Sequence, residues 1–178
     1  MLFCYYFYTM KTYLIIIVLI FSGCKSDVKK KDALADDYTV VLEVYNFNEL
    51  EPLLTKNDGK IYVVNFWATW CAPCVKELPY FEDLNKTYKS KNVEVLLVSL
   101  DFPNQYENRL KPFIKKHRLQ SKVVALNDVD SNTWIPKIDK DWSGAIPATI
   151  IYNSEDSKFY ERSFTYKELE EEVNKFLK

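Results

Sequence analysis

Glycine is scarce in this chain, three in 178 residues, and none of the three belongs to a loop that could cradle a phosphate. A single histidine, His117, excludes a histidine pair and nearly excludes a His-rich metal site. Neither sign of charge dominates: 24 basic residues face 25 acidic ones, a formal net charge of −1, which gives no electrostatic footprint for nucleic acid. Internal repeats are absent, and no apolar run reaches the ~20 residues that span a bilayer. What is present is a core's worth of apolar material, 48% hydrophobic and 16% aromatic. That is more than a disordered chain carries, and the length suits one ordinary domain with a leader.

The leader is read from Lys11 followed by the apolar run Tyr13–Phe21 and then Ser22-Gly23-Cys24. A basic residue, a short apolar stretch and a small-residue stop describe a secretory signal. Ending on Ser-Gly-Cys, it resembles a bacterial lipoprotein signal, which implies a lipidated Cys24 as the anchor to the membrane. Phe21 departs from that pattern, which usually has Leu three residues before the cysteine. An uncleaved transmembrane anchor is the competing reading, but the run is about half the ~20 residues needed, and extending it back to Leu2 buries Lys11 in its middle. Met10 is a more natural start than Met1, because residues 1–9 are aromatic-rich and uncharged. The expected organisation is therefore a signal over 1–24, a polar tether over 25–37 carrying Lys29-Lys30-Lys31, and a folded domain over 38–178.

Within the domain, Thr39–Tyr45 predicts a short strand, and Asn46 with Glu49 a capping-box start to a helix burying Leu50, Leu53 and Leu54. Ile61–Trp67 is the strongest strand, apolar enough to lie centrally with both faces covered. A helix over about 73–89 follows, with Val75, Leu78, Phe81, Leu84 and Tyr88 on its stripe and Pro79 as a kink. Val93–Leu100 and Val123–Leu126 read as strands, with a helix capped by Asn104 running to His117 between them. Residues 127–143 read as polar and irregular, anchored by Trp134, Ile138 and Trp142. Thr149–Tyr152 and Lys158–Ser163 read as a hairpin, and Thr165 with Glu168 caps a final helix. The order β-α-β-α-β-α-β-β-α implies an α/β fold, a central mixed sheet with helices on both faces.

Four cysteines are present, and they divide cleanly. Cys4 and Cys24 fall in the leader, which leaves Cys71 and Cys74 as the domain's only thiols, too few for a structural disulfide framework. The pair sits where the central strand ends and a helix begins. The first thiol is thus at a helix N-terminus, where unpaired N–H groups and the helix dipole favour a thiolate. The second is one turn on and can reach back. This predicts a dithiol that opens and closes a disulfide, with Cys71 attacking and Cys74 resolving. Zinc would need about four ligands, more than two cysteines and one histidine supply.

Trp70-Cys71-Ala72-Pro73-Cys74 after a strand, with Ile146-Pro147 ahead of a strand, hairpin and helix, resembles the thioredoxin pattern. More narrowly, Val64 through Cys74 with Glu77-Leu78-Pro79, and Gly144 through Ile151, are similar to the TlpA/ResA-like thiol-disulfide oxidoreductases, membrane-tethered and extracytoplasmic. The resemblance covers about Thr39 to the C-terminus and is weakest between Phe102 and Trp142. It implies a thioredoxin-like fold, a cis Pro147 facing the disulfide, and Ile146 offering backbone pairing to an extended substrate. It implies also that Glu77 serves the proton chemistry of the thiols, being three residues from Cys74 on one helix face. Thioredoxin itself has a buried aspartate where this chain has Asn65, so that proton route is absent.

Trp70 is expected at the apolar rim, Trp67 in the core, and His117 on a helix surface; Ala72 and Pro73 set the poise of the pair. No cofactor is expected. Partners are expected to be protein disulfides, apocytochrome c by family analogy, and a membrane protein that carries electrons. The expected localisation is the cell envelope, facing the periplasm. The alternatives are a disulfide oxidase or isomerase and, in another class, a copper-delivery protein. The latter usually has Cys-x-x-x-Cys and a suitably placed histidine. A peroxidase would need Pro-x-x-x-Thr/Ser-x-x-Cys, which residues 65–74 do not supply.

Overall fold

The computed structural model describes residues 39–177; the expected signal, Cys24 and the tether lie outside the described residues. Six strands form one mixed sheet in the order β1-β4-β3-β2-β5-β6. They are β1 (Glu43–Tyr45), β2 (Ile61–Trp67), β3 (Val93–Ser99), β4 (Lys122–Leu126), β5 (Ala148–Tyr152) and β6 (Ser157–Tyr160). The first four run parallel, β5 is antiparallel to β2, and β6 is antiparallel to β5. Five α-helices accompany them among the described residues: α1 (Phe47–Leu54), α2 (Ala72–Tyr88), α3 (Lys111–His117), α4 (Ser131–Ile138) and, after the last strand, α5 (Tyr166–Asn174).

β2 is central and buried at every position. Because a strand alternates its side chains, Ile61, Val63 and Trp67 face one core with Leu78, Phe81 and Leu84 of α2, Ile114 of α3, and Leu169 and Val173 of α5. Tyr62, Val64 and Phe66 face the other core, with Phe47, Leu50 and Leu54 of α1, Trp134 of α4, and Trp142. Helices thus cover both faces, as the element order implies. Asn65 falls on the α2 side of β2 by the same alternation, a polar side chain where a core residue would stand.

Both expected capping boxes are present, Asn46 with Glu49 and Thr165 with Glu168. In α1 Phe47 is buried while Leu53 is only half-buried. Two expectations are corrected. The segment leading to His117 does not start as a helix capped by Asn104. A short 3-10 turn over Pro103–Gln105 and a π turn over Tyr106–Leu110 come first. Pro112, without an N–H, cannot bond back to Asn108, so the regular helix starts only at Lys111. Residues 127–143 are not irregular throughout but contain α4, whose Pro136 and short length hide its period in the sequence. Trp134 and Trp142 are buried within that segment, as expected of anchors.

Candidate active site

Cys71 and Cys74 are joined in a disulfide, with Cα atoms 5.3 Å apart. β2 ends at Trp67, and Ala68–Trp70 turn the chain, with the Cys71 N–H donating to Ala68 O at 3.1 Å. Cys71 is the N-cap of α2, and its sulfur accepts from the Cys74 N–H at 3.3 Å. A sulfur held by an otherwise orphaned helix N–H is placed where negative charge is stabilised. Pro73 stands in the first turn of α2, where a missing N–H costs nothing. Cys71 is 5% exposed and Cys74 fully buried, so only the first presents itself to another molecule.

The Ile146–Pro147 bond is cis, and Ile146 O lies 3.7 Å from Cys71 Sγ. This segment is drawn to the disulfide by β5, which pairs with β2 in a register that puts Ala148 opposite Phe66. Gly144 stands at φ +89 in the approach, a backbone conformation suited to glycine. A Cβ there would meet Ile135 Cδ1 at 3.1 Å. The approach is held by hydrogen bonds: the Trp142 indole N–H donates to Ala145 O at 2.8 Å. The Ser143 and Ala145 N–H groups both donate to the Glu161 carboxylate at 3.2 Å, and Ser143 Oγ donates to it as well.

Glu77, on α2, is 1% exposed. Its carboxylate accepts from Asn65 Nδ2 at 3.0 Å and from the Phe164 N–H at 2.7 Å. Asn65 also donates to Thr149 Oγ1 at 3.1 Å, its register partner on β5. Burial pushes the Glu77 carboxyl up to about 7, while the Phe164 N–H, the Asn65 amide and the Arg162 charge pull against it. A carboxyl poised near neutrality, one turn beyond Cys74 on the same helix, is equipped to hold or release a proton.

On the opposite side, Trp70 is 46% exposed and stacks on Phe102, their centroids 6.4 Å apart. The structure therefore brings together Cys71, Cys74, Glu77, Pro147, Ile146, Trp70 and Pro73 around one end of the sheet. Trp67 is buried in the core, as expected. His117 is exposed and stacks on Phe113, 4.1 Å between ring centroids. Asp101, Phe102, Thr149 and Glu161 are supporting residues that motif reading passes over. Asp101 had one signal, a carboxylate closing the apolar run Val95–Leu100 beside the strand that carries the motif; Glu161 had none.

A family model described as AhpC/TSA matches residues 46–157, more than half of the chain. The chain belongs to the AhpC/TSA family, as a TlpA/ResA-like member of the thioredoxin superfamily. Thiol-disulfide oxidoreductase ResA of Bacillus subtilis (strain 168) is 31% identical to this family member over 136 residues, 76% of this chain and 68% of that protein. Thiol-disulfide oxidoreductase ResA of Bacillus anthracis is 33% identical over 117 residues, 62% of this chain and 66% of the other. Among the curated relatives the aligned stretch spans from 25% to 68% of their length. The crystal structure of StoA from Bacillus subtilis superposes with a TM-score of 0.50 at 28% identity, covering 66% of this chain and 84% of that one. The thioredoxin-like fold is thus shared with these relatives, as the sequence resemblance implies.

Proposed function

We propose that this protein is a thiol-disulfide oxidoreductase of the cell envelope that reduces protein disulfides through Cys71 and Cys74. The observation that carries this is the sulfur of Cys71, the less buried of the pair, capping α2 and 3.7 Å from the carbonyl ahead of cis-Pro147. In the reduced state the Cys71 thiolate attacks one sulfur of a substrate disulfide, forming a mixed disulfide and releasing the other substrate sulfur as a thiolate. Cys74 loses its proton and attacks Cys71 Sγ, which re-forms the Cys71–Cys74 bond and releases the second substrate sulfur. Two electrons pass from the pair to the substrate. Glu77, one helical turn from Cys74 and half-ionised near pH 7, takes up the proton that Cys74 gives and passes it on. Ile146 pairs its backbone with the extended substrate, and Trp70 and Pro73 form the rim it crosses.

Anchoring by a lipidated Cys24, resupply of electrons by a membrane protein, and apocytochrome c as a substrate extend this proposal. The signal-like sequence before Cys24 supports the first, and family analogy the other two. The decisive experiment uses Cys74→Ser, which leaves the mixed disulfide unresolved so that the partner can be identified by mass spectrometry. Insulin-disulfide reduction by the wild type that Cys71→Ser abolishes is the expected companion result; equal activity in both defeats the proposal. A reduction potential near −120 mV against glutathione would replace the reductase with an oxidase. The copper-delivery alternative gains no support from His117, which is occupied against Phe113 on the outer side of α3.

A further inference from the structure

We propose that Trp70 and Phe102 form one preset aromatic platform that binds a large apolar side chain beside the cysteine of a polypeptide disulfide. The inference rests on the oxidoreductase reading and adds a substrate preference to it. Phe102 is 59% exposed and Trp70 46%, yet the two rings stack at an interplanar angle of 18°. Rings left this open gain little from burial in their own fold, so their stabilising capacity is available to another molecule.

The pair is held from beneath. Asp101, 2% exposed, accepts from the Thr69 N–H at 3.0 Å and from Thr69 Oγ1. Ser99 Oγ also donates to it, at 2.8 Å. Thr69 immediately precedes Trp70 and Asp101 immediately precedes Phe102, so one buried carboxylate ties together the two backbones that carry the rings. Leu100 N–H to Trp67 O at 2.8 Å makes a second tie between the same two segments, and Arg109 donates to Thr69 O at 3.3 Å. The ordering cost of presenting two aromatic faces is therefore met before any ligand arrives.

Sheet order fixes where the ligand comes from. β2 lies between β3 and β5. Beyond the end of β3 stands Phe102, and before the start of β5 stands Ile146, so the two flank the Cys71 turn from opposite sides. A polypeptide that pairs with Ile146 and lays its cysteine over Cys71 carries its next residues toward the platform. A small disulfide such as that of glutathione has no apolar side chain to place there. The occupant is thus a polypeptide with an aromatic or large aliphatic residue adjoining the attacked cysteine.

The test is single-turnover reaction of the reduced protein with two peptide disulfides, identical except for Phe or Ser beside the cysteine. The wild type is expected to favour the Phe peptide by roughly fivefold to tenfold, the scale of one aromatic contact. In Phe102→Ala that ratio falls to about one, and in Phe102→Leu it lies between, with the fold checked by circular dichroism. A wild type without preference, or a Phe102→Ala that keeps the wild-type ratio, overturns the platform while leaving the oxidoreductase reading standing. Failure of the reduced wild type to react with either peptide defeats both.

Discussion

On the β5 side of the disulfide, the segment ahead of cis-Pro147 is held through its backbone: Ala145 O by the Trp142 indole, and the Ser143 and Ala145 N–H groups by Glu161. On the β3 side, by contrast, Asp101 sits below the surface and positions two side chains that stand out in water. One flank therefore presents peptide groups, suited to any extended chain, and the other presents aromatic faces, suited to particular ones. On the proposed reading, recognition of the disulfide-bearing chain falls to the first flank and discrimination among such chains to the second, and the two can be broken separately.

The largest effect is expected from Trp142→Ala. Its ring packs against Phe66, Trp134 and Phe159, with centroids 5.0, 5.6 and 5.5 Å away. Removing a buried indole of this kind costs about 3–5 kcal/mol, read as a lowered midpoint in chemical denaturation. Because the same indole donates to Ala145 O, the variant also loses one anchor of the β5 flank. If the midpoint hardly moves, the brace on that flank is not rooted in the core.

Glu77 comes next, beneath the β5 flank through Asn65 and Thr149. Below about pH 4.5, its ordinary value, both the native and the unfolded chain hold the proton; between there and about 7 only the native chain does. Stability contributed by this group is therefore present at acid pH and lost as pH rises through that window, on the order of 3 kcal/mol in all. Glu77→Gln should flatten the decline, measured as urea midpoints from pH 4 to 8. A wild-type profile that rises across the window would contradict the burial argument. The same variant should remove a step near pH 7 from the rate at which the mixed disulfide resolves.

Asp101→Ala tests the other flank and should cost about 2–3 kcal/mol, since the Thr69 N–H and the Ser99 hydroxyl lose a charged acceptor below the surface. Denaturation midpoints measure it. Its signature beyond stability is loss of the Phe-over-Ser peptide preference. An intact preference would show that the rings keep their places without the carboxylate.

These supports also mark how far the sequence can be read. Cys71, Cys74 and Glu77 lie on one strand-to-helix run, where spacing alone puts them at one helix end. β2 is legible because burial on both faces makes its apolar run continuous. Asn65 and Thr149 meet only through an antiparallel register between residues 84 apart, which no local period encodes. Pro147 needs the family resemblance, because few X-Pro bonds are cis. Between 104 and 138 the helix ending at His117 is legible, but its late start at Lys111 and the whole of α4 are not, because Pro112 and Pro136 interrupt regular hydrogen bonding there.

The smallest effect distinguishes the flanks most finely. Glu161 is exposed, and its carboxyl is held below its usual range by the Ser143 hydroxyl and by the N–H groups of Ser143 and Ala145. Glu161→Gln keeps its size but replaces one acceptor oxygen with a donor, so one of these hydrogen bonds must go. The segment ahead of Pro147 should then be less well ordered before the substrate pairs with Ile146. The expected outcome is a rise of roughly twofold to fivefold in KM for peptide disulfides, shared equally by the Phe and Ser peptides because backbone pairing does not read side chains. The wild type should show the same loss on acidification below the usual carboxylate range, where Glu161 takes up a proton and the clamp weakens. A change confined to the Phe peptide would place side-chain discrimination on the β5 flank as well and end the division of labour between the two sides.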